Sequence, residues 1–263
     1  MLTLSVDSSQ VSGLLNQLAD LTKKDFGELL RQEARLLAVE LAKYTQPFGF
    51  DPKSKSQGEG AIKRDLFGGK QRVGIFVMLA DSIIDQALAT GVYQGANVRL
   101  FVNKNGDVYG ADKNDFWPNA TMSQLASYHA EQFKNGVMSS AGSYTRDVGR
   151  WKFFTKKVIR QSTGEKYYNQ LIKHVGFAKA GWSVCAAQLG GTRGIPQWVT
   201  RHRKAPGRVE DNSNDPAKPS ITLKNEIDFT RQVLSQAAEA KAVRDRVIKL
   251  EARVQAAIGN KRI

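Results

Sequence analysis

The chain has 263 residues, 41% hydrophobic and 24% charged, a composition that suits a globular protein with one extended core or two modest ones. Thirty-nine Lys and Arg against 25 Asp and Glu leave a formal charge of +14, which favours a polyanion; the alternative is a basic face that meets an acidic protein neighbour or merely confers solubility. No apolar run approaches the ~18 residues of a membrane span, and Met1 to Asp7 lacks the basic start and apolar core of a signal peptide. The expectation is therefore use in a cytoplasm-like compartment or in a particle assembled there, with no membrane contact. The lone Cys185 excludes an internal disulfide framework and argues against a thiolate-rich metal site.

Thr22 is expected to open the first helix, with Asp25 as the acidic half of its cap. Phe26, Leu30, Ala34, Leu37, Leu41 and Tyr44 then share one face at spacings of three and four. Pro47 stops that helix, because proline disfavours the helical conformation of the residue before it. Residues 48–60, rich in Lys, Ser, Gly and Gln, read as a loop. The β-branched, apolar run 72–79 reads as a strand, and Asp81 or Ser82 caps a short helix carrying Ile83, Ile84, Ala87 and Leu88. Lys104-Asn105-Gly106 between Asn97–Val102 and Asp107–Tyr109 is a hairpin signal, since Asn-Gly supplies the positive φ of a tight turn. That hairpin and Phe116-Trp117-Pro118 together read as an inserted appendage over about 91–120.

From Arg146 to His174 eight bases face two acids. Ser162 and Glu165 have capping-box spacing ahead of Tyr168, Leu171, Ile172 and Val175, and the pattern continues to Leu189, before Gly190-Gly191. Glycines inside it at 176 and 181 cost about 1 kcal/mol each relative to alanine in an unbroken helix, so a break near Gly176 is expected. Beyond it lies a basic loop of about 192–220, with Arg201, His202, Arg203, Lys204 and Arg208 followed by the acidic stretch Glu210 to Asp215. Pro196 and Trp198 should fix the root of this loop and leave its charged tip projecting. Ile221 to Ile227 alternates as a half-buried strand does. Val233, Ala237, Ala240, Val243, Val247, Leu250, Val254 and Ala257 form a narrow seam on a long terminal helix. Such a seam serves either a coiled coil or packing across its own sheet, and three alanines in it favour the second.

No constellation for catalysis emerges. Cys185 and His174 are eleven residues apart, about 16 Å along a straight helix, so Cys185 reads as a small buried residue. His129, His174 and His202 lack metal-ligand spacing, and Gly68-Gly69-Lys70 lacks the frame of a phosphate loop. No cofactor, metal ion or enzymatic activity is expected.

Leu29 to Leu37, running into Lys43-Tyr44-Thr45-Gln46-Pro47, resembles the N-terminal helix and stop of tail-completion and minor tail proteins of long-tailed bacteriophages. Ala61 to Leu66 is similar to the segment that follows that stop. Val175 to Trp182, Gln188-Leu189-Gly190 and Gly194 to His202 resemble a recurrent prophage sequence of the same class. The resemblance covers about two-thirds of the chain in patches. It implies a single α+β domain over 1–263, with long helices packed on a small antiparallel sheet and a long C-terminal helix; the inserted hairpin around Gly106 and the length of the middle region exceed the family minimum, which leaves a tail-completion ring, a connector protein and another minor virion component all open. It further implies a non-enzymatic virion protein assembled in the host cytoplasm. Such a protein joins a homo-oligomeric ring at the head-tail junction or tail, with other tail or connector proteins as partners. Arg201, Arg203, Lys204 and Arg208 are the expected interface or polyanion-contact residues. The alternative is a dedicated basic nucleic-acid-binding protein without enzymatic activity.

Overall fold

A computed structural model describes residues 2–5, 9–68, 74–90, 116–134, 157–215 and 217–261. In chain order the elements are β1 (Leu2–Ser5), α1 (Ser9–Thr22), α2 (Phe26–Tyr44), α3 (Pro52–Phe67), β2 (Phe76–Leu79), α4 (Asp81–Thr90), β3 (Phe116–Trp117), α5 (Met122–Lys134) and β4 (Lys157–Arg160). There follow α6 (Gln161–Leu171), a 3-10 turn (Ile172–His174), α7 (Phe177–Gln188), α8 (Gln197–Thr200), β5 (Gly207–Asn212), β6 (Ser220–Asn225), α9 (Thr230–Val233) and α10 (Gln236–Lys261). The protein is thus a mixture of helices and small sheets. The stretch expected to be one domain forms two compact units: 1–56 with 175–263, and 57–174.

The first unit carries an antiparallel sheet of order β1-β6-β5, with Leu223 opposite both Leu4 and Val209. In β6 the residues Ile221, Leu223 and Asn225 are buried and those between them are not, the period-two pattern expected there. Helix α7 lies against this sheet and α2, buried on nearly every side: Ala178, Lys179, Ala180, Gly181, Trp182, Ser183, Cys185 and Ala186 are all enclosed. Its close approach depends on missing side chains. A Cβ on Gly181 would overlap the Asn225 amide, and one on Gly207 would collide with the Gly181 carbonyl. The small residues around Gly181 therefore serve packing inside this unit. Asn225 completes the joint by donating to the Ala178 carbonyl at 2.8 Å and accepting from Thr230 Oγ1 at 3.1 Å.

The expected break at Gly176 is present. Gly176 has φ +91° and begins α7, and a Cβ there would press into the Trp198 ring. Other boundaries differ from expectation for local reasons. Thr22 ends α1 rather than opening α2, and Asp25 itself caps α2 by accepting from Glu28 N at 3.0 Å. Helix α3 begins inside the expected loop at 48–60, where Pro52 takes the first helical position and Asp51 Oδ1 accepts from Ser54 N at 2.7 Å. The expected basic loop of about 192–220 contains α8 and the strand β5. Helix α10 packs on α1 and α2 rather than across the sheet. Its seam is shifted, with Ala242, Leu250 and Val254 buried and Ala237 and Ala240 exposed.

Opposite charges line the α2–α10 contact. Glu33, only 5% exposed, pairs with Arg246 at 2.8 Å and with Arg253; Glu40, 7% exposed, pairs with Lys249. Tyr44 bonds Asp245, which also meets Lys241 at 3.4 Å. Removing one partner of such a buried pair strands the other charge, so the ladder holds the two helices in one register.

The second unit corrects the expectation of antiparallel pairing alone. Its sheet has the order β2-β4-β3, and both pairings are parallel. Phe116 and Trp117, read as part of an appendage, form β3 beside Val158 and Ile159. The expected hairpin around Asn105-Gly106 lies outside the described residues. Leu66, Ile75, Phe76, Leu125, Ile159 and Tyr167 make the core. Asp81, at the start of α4, accepts from Ser162 N at 3.1 Å, and the Ser162 hydroxyl together with this backbone bond holds its carboxyl below the usual range. The capping role expected of Ser162 thus falls to Asp81, because α6 begins at Gln161 with Arg160 at the cap, two residues earlier than expected.

The α7 joint gives a direct test. Gly181→Ala should destabilise the fold by about 2 kcal/mol or more through overpacking. Gly13→Ala, in open space on α1, should stabilise it by about 0.5–1 kcal/mol through helix propensity. Urea unfolding of the two variants measures both signs. Equal effects would mean that α7 does not approach the sheet this closely.

Candidate interaction surface

The basic turn singled out in the sequence lies in the first unit, between α8 and β5. Helix α8 is a single turn started by Pro196, and its Trp198 indole donates to the Phe50 carbonyl at 3.5 Å while its ring lies over Gly176. With Val199 fully buried, the root of the following turn is anchored in the core as expected. Arg201, Arg203 and Lys204 are exposed in the turn between α8 and β5. They do not behave alike. Arg201 folds back, its Nη2 3.4 Å from the Val175 carbonyl and its Nε 3.3 Å from His202 Nε2. Arg203 and Lys204 have no ion pair or hydrogen bond among the described residues. Arg208 sits apart at the start of β5, 3.8 Å from Glu210, whose carboxyl Lys224 also engages. The hydrogen bond and charge of Lys224 hold Glu210 below the usual carboxylate range. The four candidates thus divide into two uncompensated cations, one tied back and one partly neutralised.

Two stacked aromatic rings brace His202 of the turn. The His202 ring stands edge-on to Phe177, 5.7 Å between centroids, and Phe177 stacks on Phe229 at 6.4 Å. Phe229 is 41% exposed, and Phe48, from the loop after α2, is 54% exposed. That loop is tied to α9 by a bond from Gln46 N to the Val233 carbonyl at 2.9 Å.

Beneath this surface lies Lys179, a residue without prominence in the sequence. It is fully buried. Its Nζ donates to the carbonyls of Ala42 at 2.7 Å, Gly49 at 3.1 Å and Lys43 at 3.4 Å, between the rings of Phe50 and Trp198. The amine closes the C-terminal end of α2, where unpaired carbonyls and the negative end of the helix dipole gather. Burial pushes its pKa down to about 7.

Cys185 is buried, as expected, with its thiol facing the carbonyls of Lys224 at 3.4 Å and Arg208 at 3.5 Å. Burial raises its pKa to about 11, so it holds its proton at neutral pH and is a poor nucleophile. His129 is half-buried, with Nδ1 2.9 Å from the Tyr167 hydroxyl, and burial lowers its pKa. Among the described residues no group of His, Cys, Asp or Glu is placed to hold a metal ion, and no helix is long and apolar enough to cross a membrane.

No family model, curated protein or solved structure matches the chain.

Lys179 sets a pH dependence. The folded state binds this proton less tightly than the unfolded chain, whose lysine titrates near 10.5. Its contribution to stability is therefore present above about 10.5 and is lost as pH falls through 7. Lys179→Met abolishes that proton linkage. The unfolding free energy of the parent minus that of the variant should grow with pH across the window, by up to ~1.4 kcal/mol per pH unit. A flat difference in urea titrations would show that the buried amine stays charged.

The turn gives a second test. Arg203→Ala with Lys204→Ala should leave the unfolding midpoint within about 2 °C, as surface changes do. Arg201→Ala should cost about 1 kcal/mol, because its bonds to Val175 and His202 are lost. Thermal unfolding followed by circular dichroism separates the two; an early-melting double variant would make Arg203 and Lys204 structural.

Proposed function

We propose that this protein is a structural or assembly component of a phage virion, of the tail-completion, neck or minor tail kind. It oligomerises at the head-tail junction or tail and meets tail or connector proteins there. The observation that carries this reading is the turn at Arg203 and Lys204, a cationic tip on a root fixed by Trp198 and Val199. The residues that build it, Gly194 to His202, belong to the stretch that most resembles prophage proteins of this class. Repetition of such a tip around a ring multiplies the field felt by passing DNA or by an acidic neighbour.

Neither the small residues around Gly181 nor the seam of α10 supports association, since both are used inside the first unit. The overall charge of +14 supports the second reading, a nucleic-acid-binding protein. Mass spectrometry of purified particles and mass photometry of the purified protein distinguish the two. Incorporation into particles, with assemblies larger than the monomer that weaken in the Arg203→Ala/Lys204→Ala variant, is the expected result. A strict monomer missing from particles, with tight and salt-sensitive DNA binding, would establish the alternative.

A further inference from the structure

From the aromatic and cationic groups gathered at the start of α7, we infer a docking site for an acidic polypeptide segment that carries apolar side chains. The inference rests on reading the basic turn as a contact surface, and it names the chemistry of the partner. Phe48 and Phe229 are two of the few large hydrophobic side chains exposed among the described residues. They stand on segments that the Gln46–Val233 bond holds together. Phe229 is not a loose ring. Its stack on Phe177, itself braced by His202, fixes it in place, and a pre-set ring binds at little entropic cost. Beside it, the bond from Glu226 N to the Pro206 carbonyl at 3.1 Å sets the Arg203–Lys204 tip against the chain leading to Phe229. Exposed aromatic residues rimmed by cations match the composition of protein interfaces, where aromatic and Arg side chains are enriched.

Charge decides the occupant. Arg203 and Lys204 lack anionic partners among the described residues, so the site offers positive charge to carboxylates. A nucleic-acid strand fits less well. Glu226 and Asp228 stand in the chain just before Phe229 and would repel the phosphates of a base stacked on that ring. One face of Phe229 is also already taken by Phe177. A peptide can place its carboxylates against the turn and its apolar side chains against Phe48 and Phe229, leaving the two acids in water.

Fluorescence anisotropy with three labelled probes tests the site. They are a short peptide alternating Asp or Glu with Leu and Trp, the same peptide with Ser in place of Leu and Trp, and an oligo-dT of equal charge. The first probe should bind about tenfold more tightly than the other two. Phe48→Ser with Phe229→Ser should reduce it to the level of the Ser peptide, and Arg203→Ala with Lys204→Ala should weaken binding and flatten its salt dependence. Both variants are checked for unchanged unfolding. Tighter binding of oligo-dT, an undiminished Phe variant, or no binding of the first probe would overturn the inference. Particle incorporation is read separately. A protein that enters particles but ignores the peptide defeats this inference alone, whereas one that binds the peptide but is missing from particles defeats only the virion reading.

Discussion

Helix α7 is enclosed by α2, the antiparallel sheet and α8, and a helix so enclosed has to find partners for the polar groups it carries into the interior. It does so for Lys179 and the Ala178 carbonyl but not for the Trp182 indole N–H, buried without a hydrogen bond among the described residues. Much of the first unit follows from that demand. Lys179 finds three carbonyls at the end of α2 and the loop beyond it. Those bonds fix where α2 stops and how residues 46–50 turn. Asn225 serves the opposite face by answering the Ala178 carbonyl, and it fits only because position 181 has no side chain. Gln188, at the end of α7, donates to the Gly207 carbonyl at 3.1 Å and accepts from Val209 N at 2.9 Å. It thereby covers part of the exposed edge of β5.

The surface at the start of α7 is an outcome of this interior. Trp198 is held by Phe50 and by the bare backbone of Gly176, and that contact carries the turn bearing Arg203 and Lys204. The same end of the helix presents Phe177 to Phe229. Changes that disturb Lys179 or Gly176 would therefore reach the surface through Trp198, although neither residue belongs to it.

Local signals were the legible ones. The apolar face of α2, its end before Pro47, the break at Gly176 and the alternation of β6 each arise from residues close in sequence. The root of the basic turn was legible too, because Pro196 and Trp198 adjoin it. Helix α3 was hidden because Pro52 and two glycines look like loop residues, although proline is at home in a first helical turn. What escaped entirely depends on distant partners. Glu33 and Glu40 look like ordinary polar positions until Arg246, Arg253 and Lys249 arrive more than two hundred residues later. Lys179 resembles a solvated lysine until its carbonyls are placed. Parallel pairing of β2, β4 and β3 joins segments with no common local pattern. Of the four cations expected at a contact, their presence in the turn could be read. That Arg201 folds back and Arg208 is shared with Glu210 could not.

The ladder between α2 and α10 has a consequence for synthesis on the ribosome. Chains emerge from the N-terminus, and domains generally fold as they appear. The second unit, residues 57–174, is contiguous and can close as soon as it has emerged. The first unit has to wait. Until residues 246–253 leave the exit tunnel, Glu33 and Glu40 have no cations to meet, and the apolar faces of α1 and α2 have no α10 to cover them. A nascent chain paused before this point would carry a finished second unit and an open first one, a form suited to capture by chaperones.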